Sequence, residues 1–406
     1  MENIHDFILP LHISNENIFI ECLFGKVGYY IKRFKELQNY PNLSNYKTQI
    51  ENAIVSIQQQ TSEIKDIFNL LLIGRTADAK EKMDYLLASS LSVLITPINK
   101  SNAFCNNFFS KNDYELDKLY LFRGRIVEPY KSLPAEDMYH IPLNNRGMVG
   151  SYRFSIPGVP CLYMASNSYV VWQEMSKPHI DELAISALRI DDDLLYNNII
   201  DLTLPIYAFF DALTDEKSQV RTDKSIIEKI INSFVAIPII VACSVVCDDN
   251  SHKRNFIVEY AFPQLIIQYF ADNLVGVAYN SNKINSNGLP ASNLAIPITK
   301  FEEGKRLGNV VSSIPISDSM NLGYFADILD KNSSLNVINK NANGPSSTRM
   351  HHSFSLALRN AESTFNKVTL GQFSNYSYDG FIKYNDSVFY KFDEYLLFMN
   401  DFKYLS

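Results

Sequence analysis

The chain has little cysteine: five residues in 406, namely Cys22, Cys105, Cys161, Cys243 and Cys247, an odd number scattered mostly through apolar segments. Such usage argues against a disulfide framework and fits reduced core residues in a cytoplasmic protein. Cys243 and Cys247 form a C-x-x-x-C pair, but no second pair follows and AIPIIVACSVVC reads as a buried strand, so no metal site is expected there. Long apolar runs are also missing. No stretch supplies the ~18 uninterrupted apolar residues that would span a bilayer, and MENIHDFILPLH lacks the basic start and apolar run of a secretory leader. Excess positive charge is absent too. A formal net charge of -7 and a pI near 5.6 argue against a nucleic-acid or anionic-membrane surface as the main business of the chain. Several catalytic signatures are lacking: no G-x-G-x-x-G follows a strand, and there is no P-loop, no H-E-x-x-H and no Ser-His-Asp order. Gly74-Arg75-Thr76 has neither the glycine spacing nor the lysine that cradles a triphosphate.

What is present is a large apolar complement, 46% of residues, enough for a sizeable core and for two or three domains. Apolar residues at three and four spacing predict helices over Ile18 to Glu36, Tyr46 to Leu72 and Asp78 to Leu94, packed as a small bundle with no evident chemistry. From Leu119 the texture changes to strands. Leu119, Leu121, Arg123 and Arg125 share one strand face, with Tyr120, Phe122 and Ile126 on the other. The turn-rich segment DMYHIPLNNRGMVG follows, containing His140 and Arg146. A histidine in such a loop is more often a hydrogen-bonding residue than a catalyst.

The stretch Tyr152 to Glu174, YRFSIPGVPCLYMASNSYVVWQE, organises the rest. Period two gives Tyr152, Phe154 and Ile156 an apolar strand face and points Arg153 the other way. Pro157-Gly158 and Pro160 turn the chain into a second strand, Cys161 to Ala165, with Tyr163 on one face and Leu162 and Met164 on the other. Ser166-Asn167-Ser168 can cap a helix from Tyr169 to Met175. Glu174 then falls on the same helix face as Val170 and Val171. An unpaired carboxylate buried there would cost roughly several kcal/mol, so it should be hydrogen-bonded, paired with a cation or lining a pocket. A structural ion pair with a nearby arginine is the competing reading.

Further along, Leu183 to Ile190 reads as a strand, Asp191 to Lys224 as irregular, Ser225 to Val235 as a helix and Ile237 to Val246 as a β-branched central strand. Phe256 to Ala261 reads as a strand, with Pro263 at the first position of a following helix. Leu274 to Ser281 places Ser281 at the polar end of an apolar row, where a turn-forming role competes with a site role. Lys331 to Ser347 reads as a polar linker and Tyr376 to Phe398 as hairpins.

These residues resemble the RES-domain family, whose hallmark has the form GRWNPPG, followed by a strand ending in LY-x-A and a helix carrying Glu. RFSIPG at Arg153 to Gly158, LYMA at Leu162 to Ala165 and VVWQE at Val170 to Glu174 match without a gap, with Phe154, Ser155 and Ile156 as departures. LFRGR matches the opening strand at Arg123; GVAYNS at Gly276 to Ser281 and SNLAIPI at Ser292 to Ile298 match the closing strands. The resemblance covers roughly Leu119 to Ile298. It implies an α+β fold with an ADP-ribosyltransferase-like core of mixed β-sheet with helices at 116–305 and says nothing of either flank; the helical region at 1–115 and the C-terminal extension at 306–406 are read from the sequence pattern alone.

The resemblance further implies an NAD+-consuming bacterial toxin, with NAD+ as substrate rather than cofactor and no metal. Glu174, Arg123 and Ser281 would be the catalytic residues, and Arg153, Tyr163, Arg146 and His140 would bind NAD+. A carboxylate at Glu174 suits the oxocarbenium-like charge that develops when the nicotinamide–ribose bond breaks, and arginines suit pyrophosphate oxygens. Hydrolysis or phosphorolysis of NAD+ leads, ahead of mono-ADP-ribosyl transfer to a protein and of a silent NAD+-binding module. An antitoxin or regulatory protein, and a homo-oligomer, are compatible partners.

Overall fold

The computed structural model describes residues 9–14, 18–104, 118–215, 218, 220, 223–247, 256–269, 274–284, 291–302, 305–327, 388–398 and 401–404. In chain order, β1 (Leu11–Ile13) precedes three long helices, α1 (Phe19–Leu37), α2 (Lys47–Leu72) and α3 (Thr76–Ser90), and then β2 (Ile95–Pro97). Next come β3 (Leu119–Ile126), β4 (Cys161–Ala165), α4 (Ser168–Glu174) and β5 (Leu183–Ile190). After them run α5 (Asp192–Leu195), β6 (Asn198–Asp201), α6 (Ile206–Thr214), α7 (Lys224–Ser233), α8 (Ile237–Cys243), β7 (Val245–Cys247) and α9 (Val258–Gln268). The described chain closes with β8 (Leu274–Asn280), β9 (Ser292–Pro297), α10 (Asn309–Ser312), β10 (Met320–Asn321) and α11 (Val388–Phe398). Helices and strands thus mix, and parallel and antiparallel strand pairs both occur.

The chain divides into two compact units whose segments alternate along the sequence: Met1–Asn102, Gly147–Val159 and Asn197–Asn282 in the first, Ala103–Arg146, Pro160–Tyr196 and Lys283–Ser406 in the second. This partition differs from the three consecutive blocks expected from the sequence, because β6 to β8 and the RFSIPG segment belong with the N-terminal helices.

In the first unit, α1 buries Phe19, Leu23, Val27, Tyr30, Phe34 and Leu37, a stripe at three and four spacing. Phe34 meets Phe234 at a ring-centroid distance of 4.1 Å, and Phe68 of α2 meets Phe19 at 5.0 Å and Phe262 at 5.5 Å. The three expected helices therefore exist and pack on later segments as well as on each other. β6 pairs antiparallel with β2 and parallel with β8, while β1 and β7 form a separate parallel pair.

Four sequence expectations fail in this unit. Asp191 to Lys224 is ordered rather than irregular where described, and supplies β6 and α6. Ile237 to Val246 is mainly helix, not strand. A wholly buried apolar run carries no periodicity to separate the two, and Pro238 sits in the first turn, where its missing N–H costs nothing. Of the strand expected over Phe256 to Ala261, Val258 to Ala261 form the first turn of α9, and Pro263 lies inside that helix instead of opening it. Tyr152 to Ile156 is no strand: Tyr152 and Ser155 exchange both backbone hydrogen bonds at 3.2 Å, closing a tight turn that buries Phe154 and leaves Tyr152 exposed. Lys224–Cys243, whose apolar residues are interrupted by Glu228, Lys229 and Asn232, is by length and composition a helical stretch apolar enough to cross a membrane, and 67% of its apolar window is buried within the protein, as in a core helix.

In the second unit the strand order is β10-β5-β3-β4-β9, all antiparallel. β3 pairs with β5 over its whole length, from Leu119 opposite Ile190 to Ile126 opposite Leu183. With β4 it pairs only at Phe122 and Ala165, whereas β4 continues along β9 to Cys161 opposite Pro297. The sheet therefore opens between β3 and β4. On one face Phe122, Ala165, Ile185 and Ala187 pack against α4 and α11, with Phe389, Phe392 and Leu396 wholly buried. The hairpins expected over Tyr376 to Phe398 are replaced by a helix from Val388; residues 376–387 and the expected linker 331–347 lie outside the described residues. Because α11 completes this core, Phe392→Ala should cost about 3–5 kcal/mol of stability. Denaturant unfolding checks this, since a peripheral helix would lose only about 0.5 kcal/mol or less.

Candidate functional site

Within α4, residues Ser168 to Gln173 are all buried and only Glu174, the last residue, is partly open. A helix this short is not stable alone, so its ends are held by side chains. At the N-terminus Asn167 accepts from Val170 N–H at 2.9 Å, and the buried Asp393 carboxylate of α11 accepts from Ser168 N–H at 3.2 and 3.3 Å. At the C-terminus Lys283 Nζ donates to the Glu174 carbonyl at 2.5 Å and to Ser176 Oγ at 2.8 Å. The chain leaves through Ser176 (φ 66) and Lys177 (φ 56), two consecutive non-glycine residues in the left-handed region.

The Glu174 carboxylate accepts from Asn293 Nδ2 at 2.7 Å. Asn293 is buried on β9 opposite Ala165, which lies opposite Phe122, so the amide stands on the sheet face that α4 covers. Among the described residues no arginine pairs with Glu174. The structural ion pair weighed from the sequence is thus replaced by an amide hydrogen bond with an ammonium nearby. Burial lowers the Lys283 pKa, and the Glu174 charge acts against that shift. Tyr163, two residues before Ala165, shares this face and is half-buried.

Arg123 lies on the other face. Gly124 turns toward α4, where a Cβ would come within 2.5 Å of Val171, and alternation sends Arg123 to the opposite side with Leu119 and Leu121, as the sequence implied. Its guanidinium occupies the opening between the strands: Nη1 donates to the Tyr163 carbonyl at 2.8 Å and Nη2 to the Tyr139 carbonyl at 3.3 Å. Arg125 Nη2 donates to the same Tyr139 carbonyl at 2.5 Å, so both strand arginines are tied to that loop carbonyl. The second unit therefore joins Arg123 to the backbone of Tyr163 and does not place it beside Glu174.

His140 is buried, and both ring nitrogens are engaged. Nε2 accepts from Gly308 N–H at 3.2 Å, which fixes the proton on Nδ1, and Nδ1 donates to the Ile141 carbonyl at 2.7 Å. Burial pushes its pKa down, the Ile141 hydrogen bond acts in the other direction, and Arg123 and Arg125 add to the lowering. Arg146 donates to the Leu143 carbonyl at 3.3 Å and stacks over Phe301 at 5.5 Å. Both residues hold the loop together.

The first unit holds Arg153 and Ser281. Pro263 has no N–H to give the Glu259 carbonyl one turn earlier in α9. Arg153 Nη1 donates to that carbonyl at 3.3 Å and to the Cys243 carbonyl, at the end of α8, at 2.9 Å; Nη2 donates to Val245 at 2.7 Å. The ring of Tyr260 lies 5.2 Å below the guanidinium. With the Asn282 amide turned so that its oxygen faces Arg153, it accepts from Nε at 3.0 Å and Nη2 at 3.2 Å. Arg153 thus turns inward, not away from a strand. Ser281 is buried beside Asn282, and Phe154 packs on Tyr279 at 4.6 Å, so the RFSIPG turn and the GVAYNS segment adjoin.

Asn293 and Lys283 were not singled out from the sequence. Asn293 was discoverable as the polar residue inside SNLAIPI. Lys283 had no signal, because its role depends on where the chain returns after β8. Among the described residues no group of three His, Cys, Asp or Glu is arranged to hold a metal ion.

No family model matches the chain, and no solved structure matches it. Over 333 residues, 80% of this chain and 71% of the relative, it is 26% identical to a protein of Bacillus subtilis (strain 168) named "Putative toxin YopC".

Arg153→Met should destabilise the protein by at least about 3 kcal/mol, since it strips a charged donor from three backbone carbonyls at about 1–3 kcal/mol each. Equilibrium unfolding is the measurement; an arginine serving substrate alone would leave stability unchanged. For His140, the folded-state pKa lies below 6.5, so its contribution is full above about pH 6.5 and declines as pH falls through the window below that value. His140→Asn should remove that part of the acid slope, measured as stability against pH for both proteins.

Proposed function

We propose that the chain is a toxin that acts by cleaving the nicotinamide–ribose bond of NAD+, as a RES-like glycohydrolase or phosphorylase with an ADP-ribosyltransferase-like core. The similarity to a protein named as a toxin supports the toxic role. The observation that carries the chemistry is the Glu174 carboxylate, held by Asn293 at the only partly open position of an otherwise buried helix. A charged group set in this way costs little to reorganise when positive charge develops against it.

In the proposed reaction the ribose C1′–N bond breaks, its electron pair leaves with nicotinamide, and the cationic ring departs neutral. Glu174 stabilises the oxocarbenium-like ribose. Water or phosphate then adds at C1′, releasing ADP-ribose and a proton or the corresponding ADP-ribosyl phosphate. Tyr163, on the same sheet face as Glu174, offers a ring against nicotinamide and a hydroxyl for a ribose. Arg123, whose guanidinium lies on the opposite sheet face and is bonded to the Tyr163 and Tyr139 carbonyls, is given no step, and none is assigned to Ser281. Arg153, whose donors are spent on backbone carbonyls, is given none.

The purified full chain should release nicotinamide from NAD+. Glu174→Ala should reduce release by about 100-fold or more while circular dichroism shows the fold retained, and its expression should no longer arrest growth. Full activity in the alanine variant removes Glu174 from the mechanism. Radiolabel from NAD+ fixed on a protein would instead indicate ADP-ribosyl transfer.

A further inference from the structure

The first unit contains a half-open cavity of about 710 Å³, within the range of small-molecule sites. None of its lining residues has a part in the reaction proposed above. Its walls come from β2, the end of β6, α6 and α7. Ile95, Leu204 and Phe209 line it and are only half-buried, so each keeps apolar surface that no part of the described protein covers. On α7, Ile226, Lys229, Ile230 and Ser233 fall at three and four spacing on one face, and all four line the cavity.

The polar groups are distributed unevenly. Asp201 is buried at the cavity wall, but its carboxylate already accepts from Ser101 Oγ at 2.8 Å, Asn102 N–H at 2.9 Å, Thr203 N–H at 2.8 Å and Thr203 Oγ1 at 2.5 Å. Four donors stabilise that charge internally and leave it little capacity for a ligand. Lys100 and Lys229 also line the cavity, both are exposed, and among the described residues neither is paired with a carboxylate. The result is an aliphatic chamber that bears, among the described residues, two exposed ammonium groups and one carboxylate already satisfied by the protein's own donors. Among the described residues Phe209 is its single aromatic wall, so the lining suits hydrocarbon better than a stacked base.

We propose that this cavity binds an aliphatic carboxylate of medium chain length, with its hydrocarbon against Ile95, Leu204, Phe209 and Ile230 and its carboxylate at Lys229 and Lys100. Apolar burial supplies the affinity and the ammonium groups select the anionic head. The same lining disfavours a polar nucleotide, whose base and ribose would lose water for few hydrogen-bonding partners.

The test is calorimetric titration of the full chain with dodecanoate below its micellar concentration, alongside dodecanol as the uncharged analogue. Saturable one-to-one binding is expected, with dodecanol and the Lys229→Glu variant each weaker by about ten-fold or more. Ala212→Trp, which fills the cavity from α6 at a half-buried position, should abolish binding while circular dichroism shows the helices retained. Absence of saturable heat overturns the proposal. Equal binding of dodecanol, or undiminished binding by Lys229→Glu or by a folded Ala212→Trp protein, does so as well. Nicotinamide release from NAD+ is scored separately, so failure of one reading leaves the other standing.

Discussion

Burial of α4 is the constraint around which the second unit is built. Seven residues make too short a helix to persist by its own hydrogen bonds, and burial removes the water that would otherwise serve its unpaired ends. Every device near it answers that problem. Asn167 and Asp393 take up N–H groups at one end, while Lys283 and the left-handed pair Ser176-Lys177 take up carbonyls at the other. Asp393 arrives on α11, which also supplies Phe389 and Phe392 to the core, so a distant C-terminal segment both packs and caps this helix. The partly open residue that remains is the one carrying a carboxylate. A site position on a rigid, fully capped element is held with more precision than one on a loop.

The first unit resolves a different difficulty. A proline inside α9 orphans one carbonyl, and α8 ends on others close by. Backbone alone does not repair this. A guanidinium does, because its planar fork carries five donors and stays charged. The tight turn that holds Arg153 is itself clamped to α9 by Gln264, which donates to Ser151, Tyr152 and Ser155. The letters RFSIPG are therefore explained by packing: a turn to aim the arginine inward and a phenylalanine to anchor it on Tyr279.

Legibility in the sequence followed periodicity and flanking turn residues. β4 and β5 were readable to the residue, α1, α2 and α4 to within one, and α3 to within four at its C-terminal end. The N-terminal helices owe this to alternation of buried and open positions, whereas the almost wholly buried β4, β5 and α4 were delimited by the turn, proline and cap residues that flank them. α8 and the start of α9 were misread because they are buried all round, which erases the distinction between a period of two and a period of 3.6. β6 and α6 were lost among turn residues between Asp191 and Lys224. The site divided similarly. Glu174 was conspicuous as a charge on an apolar face, but its partners Asn293 and Lys283 come from over a hundred residues away, and only the fold brings them to it.

A similarity of letters carries unequal weight at different positions, and burial of donors is the way to tell. At His140 and Arg153 the polar atoms are consumed by the protein's own backbone, which is sufficient reason for the residue to be there without a ligand. Arg123 is intermediate: one nitrogen bridges from β3 to the Tyr163 carbonyl of β4 and another holds the Tyr139 carbonyl of the following loop, so any service to a substrate shares the guanidinium with those structural bonds. Glu174 differs in kind. Its neighbours fix one carboxylate oxygen through Asn293 and order the carbonyl behind it through Lys283, and neither interaction needs a carboxylate to keep α4 in place. A glutamine at that position would offer Asn293 the same acceptor, whereas an apolar residue would leave its buried amide N–H unpaired. The negative charge itself, as distinct from the acceptor oxygen, is therefore the feature that the hydrogen bonds of α4 leave unexplained, and it is the one on which the proposed chemistry rests.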